Sequence, residues 1–256
     1  MTSTEGKTVI VTGAAGGLGK AIADAFLAAG ANVVICDRIA TVEEEWGKTY
    51  ADKFLTAQTD VTDEAAVQKL IDNAVAKFGR LDVLVNNAGI MDGFEPVGAC
   101  SKDRWDRVLN INLTGPFVTS KAAIAQFEKQ EPAGGVIINI GSSASYRGFH
   151  SGAAYTVSKA GVVALTKNTA GFYGDKDIYC IALLLGGMNT NIVDSFAQGM
   201  HMEMYQKVMA SQSPFDPKKN LPITSVAKYC VFLTDKEISP SANGSCIVFN
   251  NNWPEA

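Results

Sequence analysis

Tyr155 and Lys159, four residues apart, are the pair in this sequence best suited to moving a proton. The surrounding segment has a helical pattern, and residues four apart project from one helix face a turn from each other. A free tyrosine titrates near about 10 and is a poor base at neutral pH. A neighbouring ammonium stabilises the phenolate, so Tyr155 could accept a proton from an alcohol or donate one to a carbonyl. Taken alone, the pair is more typical of an ordinary amphipathic helix.

A glycine-rich turn follows the first apolar run of the chain. Residues Thr8–Thr12 lead into Gly13-Ala14-Ala15-Gly16-Gly17-Leu18-Gly19 and then into a helical pattern. Gly13 permits a tight turn, Gly17 lets the backbone approach a pyrophosphate, and Gly19 lets the helix pack against the sheet. The context predicts a dinucleotide site. A purely structural connection between strand and helix is the alternative.

The second apolar run ends on an acidic residue, Asp37, followed by Arg38. A carboxylate there can accept hydrogen bonds from both hydroxyls of an adenosine ribose and would repel a 2′-phosphate. The sequence therefore favours NAD(H). NADP(H) remains an alternative because the Arg38 guanidinium could neutralise that phosphate, although it could equally be a solvated surface charge.

Short β-branched runs alternate with longer helix-period segments along the whole chain, which is typical of α/β proteins. The strand candidates are Thr8–Thr12, Asn32–Cys36, Phe54–Ala57, Val83–Val85, Gly135–Ile140, Ile178–Leu185 and Ser245–Phe249. The helix candidates are Leu18–Ala29, Glu64–Phe78, Lys102–Glu128, Ala153–Gly171 and Ser225–Thr234. We predict one α/β domain over residues 1–256, a Rossmann-like, doubly wound parallel sheet of about seven strands with helices on both faces.

Composition narrows the partners and the compartment. The chain has 256 residues, a net charge of −4, and 22 Lys and Arg residues that form no run, so nucleic acid and anionic membranes are not expected partners. No signal segment precedes the first strand, and no apolar stretch approaches a membrane span. The five cysteines lack metal-ligand spacing, so we expect reduced thiols, no metal site and a cytoplasmic location.

Several motifs occur together in a fixed order. They are Thr12-Gly13-x-x-x-Gly17-x-Gly19, Asn86-Asn87-Ala88-Gly89, Asn112, Ser142 and Tyr155-x-x-x-Lys159. Each motif alone is weak to moderate evidence, but their order and spacing make chance agreement improbable. Over nearly its whole length the chain resembles the short-chain dehydrogenase/reductase family.

The resemblance implies four catalytic residues: Asn112, Ser142, Tyr155 and Lys159. Ser142 precedes Tyr155 by the family's separation and would orient the substrate oxygen beside it, with Ser143 as the fallback. Lys159 would also hydrogen-bond the nicotinamide ribose. Asn112 matches an asparagine that distorts a long helix and holds a water linking the lysine to solvent. Without the family spacing, Ser142 would more simply be a turn former or helix cap.

The resemblance also implies a wider cofactor site. The segment Asn86–Gly89 would support the sheet and line the adenosine and nicotinamide-ribose pocket. Asp60 and Val61 would contact the adenine edge, although Asp60 could instead cap the helix that follows. The cofactor-binding set is Gly13, Gly17, Leu18, Gly19, Asp37, Arg38, Asp60, Val61, Asn87, Ala88, Gly89, Tyr155, Lys159, Gly186 and Thr190.

Two segments depart from the family pattern. Leu185 stands where the family usually has proline before Gly186, so the backbone expected to contact the carboxamide loses a fixed φ. The run Asn250–Asn252 replaces a Val-Asp-Gly-Gly segment that often forms a subunit contact. A homo-oligomer, tetramer or dimer, is expected, with its geometry open.

The substrate pocket is predicted from loop residues that are mostly apolar or aromatic. Phe94, Phe149, His150 and Met188 are the substrate-facing candidates beside Ser142, with Met91, Asp92 and Arg147 nearby in the same loops. Ordinary loop packing is the alternative for each. Residues 188–221 are rich in methionine and predict either a mobile substrate lid or a helical flap packed on the core or on another subunit.

Together these features predict an NAD(P)(H)-dependent oxidoreductase that transfers hydride reversibly between the cofactor and a mid-sized, partly hydrophobic secondary alcohol or ketone. The alternatives are an epimerase or dehydratase of the same fold that uses bound NAD catalytically, or a non-catalytic dinucleotide-binding protein.

Overall fold

The fold is a single seven-stranded sheet in which every strand is parallel to its neighbours. A computed structural model of the chain describes residues 4–39, 44–190, 192, 199–212 and 217–253. The strands are β1 (Thr8–Thr12), β2 (Asn32–Asp37), β3 (Phe54–Gln58), β4 (Val83–Asn86), β5 (Gly135–Ser142), β6 (Ile178–Leu185) and β7 (Cys246–Phe249). Their order across the sheet is β3-β2-β1-β4-β5-β6-β7. The predicted doubly wound α/β fold is confirmed.

Helices cover the sheet and connect its strands. They are α1 (Gly17–Ala28), α2 (Glu44–Tyr50), α3 (Glu64–Phe78), α4 (Lys102–Leu109), α5 (Gly115–Lys129), α6 (Ala153–Tyr173), α7 (Met202–Ser211) and α8 (Ile223–Leu233). The predicted helix Lys102–Glu128 is interrupted, since a π-helical turn at Asn110–Thr114 separates α4 from α5. Helix α2 was not predicted, and α7 is the helical part of the predicted flap.

The core lies on both faces of the sheet because successive strand residues point in opposite directions. Val9 and Val11 of β1 pack in the cluster that includes Phe26 of α1 and Val226 of α8. Ile10, between them, packs on the other face in the cluster that includes residues of α3 and α5. This two-sided burial explains why the strands are apolar throughout instead of alternating.

A buried polar network joins the centre of the sheet to the helices that carry the candidate site. Asn86 Nδ2 of β4 donates to Asn139 Oδ1 of β5 at 2.9 Å. Asn139 Nδ2 donates to Thr166 Oγ1 of α6 at 2.9 Å, and Thr119 Oγ1 of α5 donates to Asn86 Oδ1. Unpaired buried amides would be costly, so these bonds hold α5 and α6 at fixed positions on the strands.

The direction of winding reverses between β1 and β4. From β1 the chain proceeds outward through β2 and β3, then returns to place β4 on the other side of β1. In such sheets a crevice opens beyond the carboxyl ends of the strands at this point, and ligands bind there. The glycine turn after β1 and the segment after β4 both begin at that edge.

Two further findings concern the described residues alone. None of their helices is both long and apolar enough to cross a membrane. No group of three or more His, Cys, Asp and Glu side chains is placed to hold a metal ion within the described parts of the chain.

Candidate active site

The glycine turn after β1 has the geometry that a bound pyrophosphate needs. Gly13 and Gly17 have φ of 64° and 55°, and α1 begins at Gly17. A Cβ at Gly19 would lie 2.1 Å from the carbonyl oxygen of Gly13, so no larger residue fits without displacing the turn. Gly19 therefore lets α1 start directly against the turn, and a helix N-terminus that follows such a turn suits a dinucleotide phosphate.

The ends of β1 and β4 are locked together next to this turn. Thr12 Oγ1 accepts hydrogen bonds from the backbone N–H groups of Asn87 and Ala88, each at 3.0 Å. Asn87 Nδ2 donates to the carbonyls of Thr12 and Gly13 at 2.9 and 3.1 Å. The Asn87 amide thus supports the backbone around the predicted pocket.

Asp37 is the last residue of β2, and its carboxylate is held beside the glycine turn. Oδ2 accepts from Ala15 N–H at 2.9 Å, and Oδ1 accepts from Ile39 N–H at 3.2 Å. Arg38 is exposed, with its carbonyl accepting from Gln58 Nε2. The acidic side chain is therefore fixed beside the glycine turn, and its contact with an adenosine ribose stays a prediction.

Asp60 does not cap the following helix. Its Oδ1 accepts from the N–H and the hydroxyl of Thr62 at 2.9 and 2.8 Å, and these bonds hold the pKa of Asp60 below its ordinary value. Asp63 caps α3 through the amides of Ala65 and Ala66. Val61 is buried against Gly115 at the start of α5. The helix-capping alternative for Asp60 is thus wrong, and the side chain is exposed.

Ser142, Tyr155 and Lys159 come together at the carboxyl end of β5. Tyr155 lies in the first turn of α6, and the Ser142 side chain is close enough to its hydroxyl to lower the pKa of the phenol. Lys159 Nζ lies 5.6 Å from the centroid of the Tyr155 ring and donates to the Ile140 carbonyl at 2.9 Å. Ser142 is the last residue of β5 and also caps the short turn Ser143–Ser145, so the capping alternative describes a second role of the same side chain.

Burial dominates the titration of this pair. The pKa of Tyr155 is raised to about 12, chiefly by burial; the Ser142 side chain lowers it by less, and the Asp92 carboxylate makes a smaller contribution that raises it. Burial lowers the pKa of Lys159 to about 8. Burial therefore disfavours the charged form of both groups in the protein alone. The expectation that Lys159, helped by the charge of an oxidised nicotinamide, brings the pKa of Tyr155 toward neutral pH stays a prediction.

Asn112 lies in the π-helical turn between α4 and α5 and is buried. Its Oδ1 accepts from Ile90 N–H at 2.9 Å, and its Nδ2 donates to the Ile90 carbonyl at 2.8 Å and to Ser158 Oγ at 3.2 Å. Gly89 is packed close by, since a Cβ there would lie 3.2 Å from Asn112 Oδ1 and 3.7 Å from Lys159 Nζ. The widened turn therefore joins the segment after β4 to the helix that carries Tyr155 and Lys159.

The two departures from the family pattern are neighbours in space. Leu185 ends β6 and is buried. The following Gly186 N–H donates to the Phe249 carbonyl, and a Cβ at Gly187 would lie 2.1 Å from the Trp253 ring. Residues 250–253 form a tight turn in which Trp253 N–H donates to the Asn250 carbonyl. Trp253, which sequence patterns did not single out, supports this backbone, and Thr190 lies partly buried just beyond.

Two of the four substrate-facing candidates occupy other places. Phe94 has a φ of 63°, is 5% exposed and packs edge-on against Tyr205 of α7 at 5.2 Å. Met188 packs against the main core cluster. Each side chain thus has a partner in a neighbouring element, which its position in the sequence does not reveal, and contact with a substrate stays a prediction for both.

The other two candidates lie in the loop before α6. Phe149 is 46% exposed. His150 Nδ1 lies 3.0 Å from Ser143 Oγ, and its Nε2 is buried without a hydrogen-bond partner among the described residues. Burial lowers the pKa of His150 below its ordinary value, with a smaller contribution from Arg147. The ring is therefore held neutral at neutral pH.

The predicted flap is described in part. Residues 191, 193–198 and 213–216 lie outside the described residues, so Phe196 and Phe215 do too. Within α7, Val208 is buried while Met202 and Met209 are exposed. The Leu221 N–H donates to the Gly187 carbonyl, which ties the end of this segment to the nicotinamide side of the predicted site.

Comparisons with known proteins agree with this arrangement. Residues 7–201 match the family model described as short chain dehydrogenase. The chain is 46% identical over 258 residues to a short chain dehydrogenase/reductase, dpchG, of Colletotrichum higginsianum, covering 98% of this chain and 95% of the relative. It is 39% identical over 191 residues to 3beta-hydroxysteroid dehydrogenase 2 of Eggerthella lenta, covering 73% of each.

A solved structure has the same fold. It is 3-ketoacyl-(acyl-carrier-protein) reductase from Brucella melitensis complexed with NADH, with a TM-score of 0.84 and 26% identity, covering 99% of this chain and 100% of that one. The family model spans most of the chain, and the dpchG relative covers nearly all of it. The chain belongs to the short-chain dehydrogenase/reductase family and is an oxidoreductase.

Proposed function

We propose that this enzyme transfers hydride reversibly between NAD(H) and a secondary alcohol or ketone, with Tyr155 as the general acid and base. The observation that carries the proposal is the grouping of partly buried Ser142 with buried Tyr155 and Lys159, in which the Ser142 side chain is close enough to the phenol to lower its pKa. When bound, the nicotinamide accepts or supplies the hydride. The protein side chains supply the proton transfer and the alignment of the substrate oxygen.

Each side chain has a distinct role. In oxidation Tyr155 takes the hydroxyl proton, and in reduction it returns a proton to the carbonyl oxygen. Ser142 Oγ orients that oxygen. Lys159, with a pKa of about 8, carries its proton for the most part at neutral pH, so its charge and that of the oxidised nicotinamide together oppose the burial that raises the pKa of Tyr155. Asn112 positions the segment after β4 beneath the lysine.

The preference for NAD over NADP rests on Asp37. Its carboxylate is fixed at the end of β2 by hydrogen bonds from Ala15 and Ile39. A 2′-phosphate would bring two negative charges next to it, whereas two ribose hydroxyls can donate to it. Arg38 follows Asp37 directly and is exposed, so its guanidinium is the group that could pair with a 2′-phosphate in the NADP alternative.

The substrate that best fits the site is an alcohol or ketone on a fused alicyclic ring system. Tyr155 belongs to an apolar cluster with partly buried Met91, Trp105 and Leu109 packed against it. The relative from Eggerthella lenta is a hydroxysteroid dehydrogenase, and steroids are flat, apolar fused rings with secondary hydroxyl groups. Exposed methionines on α7 suit such a shape because Met adapts to irregular apolar surfaces.

We also propose a homo-oligomer in the cytoplasm. Phe117 of α5 and both Val157 and Phe172 of α6 are exposed apolar side chains, which in an oligomer would be covered. The five cysteines are free, which is typical of a reducing compartment. Light scattering on the purified protein measures the oligomeric state. A fluorescent fusion in the source cells tests the cytoplasmic location.

The decisive test uses Tyr155→Phe, which keeps the ring and removes the proton. Wild-type protein should produce NADH stoichiometrically from 3-hydroxysteroids, with little turnover of small polyols and with NAD favoured over NADP. The variant should bind NAD(H) normally and lose at least about a thousandfold in kcat. Undiminished activity of the variant would refute the mechanism. Product formation with no net change in NADH absorbance would instead indicate an epimerase or dehydratase.

A further inference from the structure

The loop after β4 contains a fully buried carboxylate, Asp92, that accepts four hydrogen bonds. Oδ1 accepts from Phe94 N–H at 3.1 Å, Ser151 Oγ at 3.2 Å and Gly152 N–H at 3.1 Å. Oδ2 accepts from the backbone N–H of Tyr155 at 2.8 Å. All four donors are neutral, and two of them are amides at the start of α6.

These amides would otherwise lack partners, because the first N–H groups of a helix have no intrahelical acceptor. The residue before α6 is Gly152, which has no side chain to cap them. Asp92 caps the helix from a different part of the chain, and its negative charge also suits the positive end of the helix. The fit is close, since a Cβ at Gly152 would lie 2.5 Å from Asp92 Oδ2.

The same loop is bonded to the flap helix. The Gly93 carbonyl accepts from His201 N–H at 2.8 Å, at the start of α7. Phe94 packs on Tyr205 of α7, and the Glu95 carbonyl accepts from Ala153 N–H at 2.9 Å. Residues 92–95 therefore contact α6 on one side and α7 on the other.

Resting on the function proposed above, we propose that Asp92 is a positioning residue that holds Tyr155 in its reactive place and links it to the flap helix α7. It touches neither substrate nor cofactor, and acts on the tyrosine through the first turn of α6. Its charge has a second effect, because a carboxylate near the phenol opposes phenolate formation and raises the pKa of Tyr155. Lys159 on α6 and the Ser142 hydroxyl on β5 are the other groups that face the phenol.

The test is Asp92→Asn. The new amide has nearly the same shape, but its Nδ2 cannot accept a hydrogen bond, and the charge is gone. We expect kcat for alcohol oxidation to fall about tenfold or more while the Kd for NAD stays within about twofold. We also expect the rise of kcat/KM with pH to move to lower pH, because loss of the carboxylate lowers the pKa of Tyr155.

Asp63→Asn is the matched control, since Asp63 caps α3 with two backbone amides in the same way but lies in a different helix. It should leave kcat and the pH profile unchanged. An Asp92→Asn protein with wild-type kcat and an unshifted profile would overturn the proposal. If wild-type protein oxidised no alcohol, or if Tyr155→Phe were active, the proposed function itself would fail instead.

A measurement on wild-type protein covers the case in which the variant does not fold. First-turn amides usually exchange quickly with solvent, but those of Gly152 and Tyr155 should be protected in hydrogen exchange because Asp92 binds both. Rapid exchange of both amides while the rest of α6 is protected would contradict the proposal.

Discussion

Replacing Lys159 with methionine should make the protein more stable at neutral pH while it abolishes hydride transfer. The lysine is 4% exposed, and burial lowers its pKa to about 8 from an ordinary 10.5. The buried environment therefore disfavours the charged ammonium form of Lys159. Methionine has a similar length, no charge and a flexible apolar shape that suits such a gap.

The magnitude follows from the displaced pKa. A difference between 10.5 and about 8 corresponds to about 3 kcal/mol by which folding disfavours the charged lysine at neutral pH. Methionine removes that cost but leaves the Ile140 carbonyl without its Nζ donor, which costs about 1–3 kcal/mol. We expect a net stabilisation of about 1 kcal/mol at pH 7.

The pH dependence gives the sharper result. Between pH 8 and 10.5 the unfolded lysine still holds its proton and the folded one has lost it, so stability rises with pH in wild type. In that pH window the free energy of unfolding of wild type should rise by up to about 3 kcal/mol relative to that of the variant. Wild type should therefore become the more stable of the two proteins. Four other buried groups make stability fall as pH rises, and they do so in both proteins. Their pKa values are raised to about 12, chiefly by burial: Tyr155, Cys36, Cys180 and Cys230.

Urea unfolding of the two nucleotide-free proteins from pH 7 to pH 9.5 measures the difference directly. The contributions of the other buried groups largely cancel because both proteins contain them. A stability difference that stays constant over this range, or a variant less stable than wild type at pH 7 with the same slope, would refute the reasoning.

Two further predictions concern the cofactor. Asp37→Ser should lower kcat/KM for NAD about tenfold or more and raise kcat/KM for NADP, because no carboxylate then repels the 2′-phosphate and Arg38 can pair with that phosphate. Steady-state kinetics with both cofactors measure the two values. An unchanged ratio of kcat/KM for NAD to that for NADP would contradict the prediction. Gly187→Ala should weaken binding of NAD but not of ADP-ribose, which lacks nicotinamide, because the new methyl group would collide with the Trp253 ring. Calorimetric titration with both ligands tests this. Equal losses of affinity for NAD and for ADP-ribose would refute a local effect.

The sequence predicted the features that depend on neighbours a few residues away. Apolar runs predicted all seven strands, usually one or two residues short, because polar end residues such as Asp37, Asn86 and Ser142 still pair within the sheet. Glycine spacing predicted the turn after β1. The short helix α2 was missed because Glu44–Tyr50 is polar and contains Gly47, which weakens any helical pattern.

Features that depend on distant partners could not be predicted. Asp92 looked like a loop residue, since nothing near position 92 shows that the amides of α6 lie against it. Phe94 was assigned to the substrate because its partner, Tyr205, is far along the chain. The burial that raises the pKa of Tyr155 could not be predicted either, because the sequence shows the nearby lysine but not the depth at which the phenol lies.

The turn at residues 250–253 has a consequence for the order in which the protein matures. Gly187 rests on Trp253, and Gly186 is bonded to Phe249 in the last strand of the sheet. A nascent chain that has emerged only as far as β6 already contains the glycine turn, Asp37 and the Tyr155–Lys159 helix. Such a chain lacks Phe249 and Trp253, which support the backbone at Gly186 and Gly187 that would bind the nicotinamide. Tight binding of the whole dinucleotide should therefore begin only after β7 has joined the sheet.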